Sequence, residues 1–158
     1  MIVQDKQKEA ILKRLSKLDF NCEKCSSCCR YESGAVFLTL DDVKKICDNL
    51  SISIDKFLVE CCRGLYKDDK FVVALKEKPN YDCIFWNNGC IIYEARPLQC
   101  RTFPFWPFLV ESKELWKNEK YRCAGIDKAS DMTLEEKYNF YMEEKQALYM
   151  EMPRPNNL

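Results

Sequence analysis

The chain has 158 residues, 47% hydrophobic and 32% charged, which suits one globular domain able to bury a core. Twenty-five basic residues balance 25 acidic ones, so no bulk charge draws the chain to nucleic acid or to an anionic membrane. Eleven cysteines stand beside no histidine. The missing imidazole excludes a Ser-His-Asp triad, a Cys-His pair and any histidine metal ligand from this chain. No run of about 18 apolar residues marks a membrane span.

In chain order, Ala10, Ile11, Leu12, Leu15 and Leu18 recur at helical spacing, predicting an amphipathic helix over about 3–18. Charges scattered through this stretch are unlike a secretory signal. The expectation is retention in a reducing cytoplasm, where structural disulfides are rare, and the odd cysteine count agrees. Val36-Phe37-Leu38 reads as a brief strand. Thr39-Leu40-Asp41-Asp42 is a capping box opening a helix with Val43, Ile46, Cys47 and Leu50 on one face. A short helix is expected over Ile54 to Cys62 and a strand over Phe71 to Leu75. Asn88-Gly89 predicts a type I′ hairpin with Cys83 and Cys90 on or beside its arms. A strand pair is expected between Phe108 and Trp116, turning around 111–113. Thr133-Leu134-Glu135-Glu136 opens a last helix with Leu134, Tyr138, Tyr141 and Leu148 facing inward. Residues 152–158 read as a polar tail.

These elements give a small single α+β domain, 1–158. Terminal helices, short strands and cysteine-rich loops are expected to surround a metal site. Residues 21–127 form the cysteine-cluster region and 128–152 the C-terminal helix.

Cys22-x2-Cys25-x2-Cys28-Cys29 is the strongest motif. Spacing by two residues lets one loop wrap several sulfurs around a common centre. Three such ligands with a fourth from elsewhere serve iron–sulfur clusters, and a Cys-x2-Cys knuckle also opens many zinc sites. Thiolates select such soft or borderline metals over magnesium or calcium. Cys83, Cys90, Cys100 and Cys123 form a second constellation. Cys47, at a helical core position, reads as packing, as do Cys61 and Cys62. Arg96 and Arg101 place positive charge beside thiolates, which favours the ionised sulfur and tunes a bound cofactor. Phe103, Phe105, Trp106 and Phe108 read mainly as core.

Taken together, Cys22-Glu-Lys-Cys25-Ser-Ser-Cys28-Cys29, Cys83 to Tyr93, Arg96-Pro97-Leu-Gln-Cys100-Arg101-Thr-Phe103-Pro104-Phe105 and Cys123-Ala-Gly125 resemble the CxxCxxCC (YkgJ-type) zinc- or iron-chelating domain family. Flagellin lysine-N-methylases carry a related domain. The resemblance implies metal ligands at Cys22, Cys25, Cys28, Cys29, Cys83, Cys90, Cys100 and Cys123. It departs at Ser26 and Asp127, where the family usually has glycine, and at Ala124, where it has proline. The leading expectation is a metal-binding module holding an iron–sulfur cluster, with Zn2+ as the alternative and no catalytic residue identified. A methyltransferase related to the methylases is a second reading, but four glycines leave no glycine-rich cofactor loop. A third is a zinc-stabilised interaction module. In it, apolar residues of the last helix (Tyr138, Phe140, Tyr141, Met142, Tyr149 and Met150) meet a protein partner or a second copy.

Overall fold

The computed structural model describes residues 2–155, with side chains from residue 5 onward; the last residues of the expected polar tail, 156–158, lie outside the described residues. In chain order the elements are α1 (Ile2–Leu15), α2 (Leu40–Leu50), α3 (Ile54–Cys61), β1 (Cys62–Lys67), β2 (Lys70–Leu75), α4 (Leu98–Thr102), α5 (Pro107–Glu111), α6 (Lys113–Glu119) and α7 (Leu134–Lys145). The class is α+β. Among the described residues, no helix is long and apolar enough to cross a membrane. The chain divides into two compact units. The first is Met1–Cys28 with Thr102–Gln146; the second is Cys29–Arg101 with Ala147–Leu158.

In the first unit, Leu15, Leu18, Phe105, Leu109, Val110, Trp116, Ile126 and Tyr141 form the core. α1 ends at Leu15 rather than Leu18, yet Leu18 is buried. The buried Lys137 of α7 donates to the Leu18 carbonyl at 2.7 Å and to Asp19 at 2.9 Å, which fixes the chain as it leaves the helix. The expected strand pair between Phe108 and Trp116 is instead two short helices. Pro107 supplies a helical φ at the start of α5. Ser112 then caps α6 by accepting from the Leu115 N–H. Both hydrogen bonds of the Thr133–Glu136 capping box form at α7. That helix is shorter than the expected 128–152. Tyr141 faces inward and Tyr138 packs on the core, whereas Leu134 in the first turn and Leu148 beyond the last are exposed. Phe140 and Met142 also pack on this core. Phe105 is fully buried, Phe103 and Trp106 pack beside it, and Phe108 is exposed.

In the second unit, β1 and β2 form an antiparallel hairpin with Cys62 opposite Leu75 and Lys67 opposite Lys70. β1 was not legible: Arg63, Gly64 and Lys67 interrupt its apolar pattern, and pairing with β2 makes it a strand. β2 is buried from Val72 to Leu75. Val36–Leu38 pairs with it, through Leu38 N–H to the Val73 carbonyl at 3.0 Å and Leu75 N–H to the Val36 carbonyl at 2.9 Å. Residues 149–152 continue along β2, so Tyr149 and Met150 belong to this sheet region and not to α7. The capping box at Thr39 forms as expected, and Val43, Ile46 and Cys47 enter the core with Phe57, Val73 and Leu75.

Candidate metal centre

In the first unit a short antiparallel pairing brings two cysteine loops together. Phe20 lies opposite Ile126, the Asn21 N–H donates to the Gly125 carbonyl at 3.0 Å, and the Asp127 N–H donates to the Asp19 carbonyl at 2.8 Å. The approach is close at Gly125, where a Cβ would stand 2.4 Å from the Asn21 carbonyl oxygen. The chain leaves this pairing directly into Cys22.

The loop that follows is curled by left-handed residues on either side of Cys25, Lys24 at φ 52° and Ser26 at φ 64°. This aims the Lys24 N–H at the Cys22 sulfur, 3.4 Å away, and the Cys25 thiol at the Ser27 hydroxyl, also 3.4 Å. At Cys123 the Ile126 N–H donates to the Cys123 carbonyl at 3.2 Å, and the Gly125 and Ile126 N–H groups lie near the thiol. Burial is the largest effect there and pushes this thiol up; the two N–H groups pull it down, and nearby Cys25 and Cys28 add to the rise. The unit contains Cys22, Cys25, Cys28 and Cys123, the first three exposed, with Cys25 and Cys28 near Cys123. Ser26 and Asp127, which stand where family glycines are expected, both take positive φ, 64° and 60°. Glycine adopts that conformation without strain. Asp127 is held there by Trp116 Nε1 at 3.0 Å and Lys120 Nζ at 3.1 Å.

The second unit contains Cys29, Cys83, Cys90 and Cys100, all half-buried. The Cys83 N–H donates to the Cys29 carbonyl at 2.7 Å. Asn88 and Gly89 both have positive φ, 52° and 138°, as expected, but the pairing of Trp86 with Cys90 leaves the three residues 87–89 in the turn and not the two of a type I′ hairpin. The turn carries one bridge, Trp86 opposite Cys90, so Cys90 lies on its arm. Cys83 is instead paired with Glu77, in a separate turn closed by Lys78 N–H to the Asp82 carbonyl at 2.8 Å. Cys100 sits in α4, which two polar side chains fix. Buried Asp42 accepts from the Thr39 N–H and hydroxyl through one oxygen and from the Leu98 N–H through the other, at 2.8 Å. Gln99 accepts from the Phe37 N–H at 2.8 Å and donates to the Ala35 carbonyl at 3.0 Å.

Arg96 stacks on the Tyr93 ring at 3.6 Å and donates to the Tyr93 carbonyl at 2.9 Å. Arg101 follows Cys100 in α4 and is half-buried. Sequence reasoning missed Arg30, Asp82 and Trp86. The Arg30 guanidinium lies 3.7 Å over the Trp86 ring, and its Nε donates to buried Asp82 at 3.2 Å. Adjacency was the available signal: Arg30 follows Cys29 and Asp82 precedes Cys83.

Cys47, Cys61 and Cys62 belong to the core of the second unit. Burial pushes all three thiols up, Cys62 to about 12, which keeps them protonated and unreactive.

Among the described residues, no three acidic or thiol side chains are already arranged to hold a metal ion. The donor chemistry nevertheless fits a thiophilic metal: soft sulfurs, with a backbone N–H aimed at Cys22, are surroundings that stabilise metal thiolates.

An uncharacterized protein of Methanocaldococcus jannaschii, MJ0939, is 27% identical to this chain over 117 residues. That alignment covers 70% of the chain and 38% of MJ0939, so the chain spans well under half of that relative. No solved structure matches. The sequence model of the CxxCxxCC family, described as a putative zinc- or iron-chelating domain, matches residues 21–124, from the residue before Cys22 to the one after Cys123. The chain is a cysteine-cluster protein and belongs to the CxxCxxCC family.

Proposed function

We propose that this protein is a thiolate metal-binding module whose first unit holds an iron–sulfur cluster through Cys22, Cys25, Cys28 and Cys123. The observation that carries the reading is the polar backbone around Cys22 and Cys123. The Lys24 N–H donates to the Cys22 sulfur at 3.4 Å, and the Gly125 and Ile126 backbone pulls the Cys123 thiol down against its burial. Such donors favour the thiolate over the thiol and recur around cluster sulfurs. Three ligands from one loop and a fourth from a distant loop is also how iron–sulfur clusters are commonly ligated. When bound, the cluster supplies one-electron redox chemistry. Cys29, Cys83, Cys90 and Cys100 form a second thiolate site in this reading, with Arg101 next to Cys100 as its adjacent positive charge.

Zinc is the second reading, favoured by one observation: each unit holds four of the family cysteines, the ligand count of a tetrathiolate zinc site. Metal and acid-labile sulfide analysis, with an absorbance spectrum, on anaerobically purified protein separates the two. Brown protein absorbing near about 400 nm, with iron and sulfide, supports the cluster. Colourless protein with stoichiometric zinc and no sulfide refutes it in favour of zinc. Protein that takes up neither refutes both.

A further inference from the structure

We propose that the Trp86 indole is a hydrogen-bond donor to a metal-bound sulfur at the Cys83–Cys90 pair. This rests on the reading of the second unit as a thiolate site. Trp86 Nε1 is buried and has no acceptor. Indole N–H is donor only, so it can be satisfied by nothing but an acceptor brought to it. Among the described residues Arg63 Nε is the other orphaned donor of this kind, but that guanidinium is engaged through Nη2 with Glu77 and the Gly34 carbonyl. Trp86 has no second donor on its side chain.

Its position explains which acceptor. The Trp86 backbone N–H donates to the Cys83 carbonyl at 2.9 Å, and Trp86 lies directly opposite Cys90 across the Asn88-Gly89 turn. Residues opposite each other in an antiparallel pair project to the same face, with Cβ atoms about 5 Å apart. The indole and the Cys90 sulfur therefore share a face. A neutral thiol accepts weakly; a metal-bound thiolate keeps negative charge and accepts well. The indole is held ready for it. The Arg30 guanidinium covers the ring face at 3.7 Å and is anchored by Asp82, while Lys78 Nζ holds the Trp86 carbonyl. With the face occupied, the ring is held in place, and the cation withdraws electron density from it and strengthens the donor.

The test uses the full chain labelled with 15N-tryptophan and titrated with zinc ions alone. Three indole N–H resonances are expected, from Trp86, Trp106 and Trp116, and loss of a peak in W86F identifies that of Trp86. Zinc uptake is measured in parallel by competition with a coloured chelator. The expected result is a Trp86 resonance that shifts on zinc addition, more than the other two, and returns on chelation. W86F should keep the zinc stoichiometry but bind about tenfold more weakly. Full uptake with an unmoved Trp86 resonance overturns this inference and leaves the thiolate-site reading standing. No uptake by the wild type overturns both. Should W86F fail to fold, W106F and W116F assign the other two resonances, the remaining peak is Trp86, and the wild-type titration decides.

Discussion

Gly125→Ala tests whether the Asp19–Asn21 and Gly125–Asp127 pairing is what brings the Cys22–Cys28 loop to Cys123. The added Cβ would stand 2.4 Å from the Asn21 carbonyl oxygen and 2.9 Å from Phe20 Cε2, whereas real Cβ atoms essentially never come under 3.0 Å. The Asn21 carbonyl is backbone and cannot rotate aside, so the two segments must separate by at least about 0.6 Å, the shortfall to that limit. Overpacking of this kind costs about 1–3 kcal/mol. The same shift strains the 3.0 Å and 2.8 Å hydrogen bonds of the pairing. Each contributes about 0.5–1.5 kcal/mol. With both bonds lost, a central total of about 4 kcal/mol lowers Tm by about 8–16 °C in a chain of this size. Gly34→Ala is the control, because a Cβ added at Gly34 would meet nothing within 4 Å. Thermal unfolding followed by circular dichroism gives the stability, and metal uptake gives the site. If G125A melts with G34A and takes up metal normally, the pairing does not position the two loops.

Cys25→Ser and Cys123→Ser should each lose metal from the first unit, while Cys47→Ser keeps it; equal loss at Cys47, measured by metal analysis, would contradict the ligand assignment. Arg30→Ala strands the buried Asp82 carboxylate, 3% exposed, and should cost about 1–3 kcal/mol in urea unfolding. Cys62 has an ordinary thiol value of 9.0 and about 12 in the fold, so the unfolded chain releases its proton first. Its contribution is therefore complete below pH 9.0 and is lost as pH rises toward about 12. The wild type should lose more stability than Cys62→Ala between about pH 8 and about pH 10.5 in urea titrations, and parallel losses would refute the assignment. Ser26→Gly relieves a left-handed residue at φ 64°. It should leave stability unchanged or raise it by up to about 1 kcal/mol in the same urea titrations, since the relief is opposed by the extra freedom of the unfolded chain.

Local signals were legible where they are chemically self-contained. Thr39 with Asp42 and Thr133 with Glu136 each form both capping hydrogen bonds, because a capping box closes within four residues. Asn88 and Gly89 take the positive φ that their types allow. The misreadings lie where a distant segment decides. Cys83 pairs with Glu77 rather than flanking the Asn88-Gly89 turn. Residues 108–116 became helical because Pro107 and Ser112 set two helix starts that an apolar-run reading overlooks. Leu148 continued the helical spacing on paper, yet α7 stops at Lys145 and 149–152 run along β2.

The sequence by itself determined the chemistry: eleven thiols, no imidazole and a Cys-x2-Cys-x2-Cys-Cys loop leave soft-metal ligation as the dominant possibility, and side-chain type alone settles that. Tertiary structure decided which thiols are neighbours. Cys123 joins Cys25 and Cys28 from about a hundred residues away through a backbone pairing that spacing does not encode. It also decided which are withdrawn from chemistry. Cys47 and Cys62 are buried in the packed core, with Cys61 half-buried against it, and that burial, a property of the tertiary structure, pushes their thiols up.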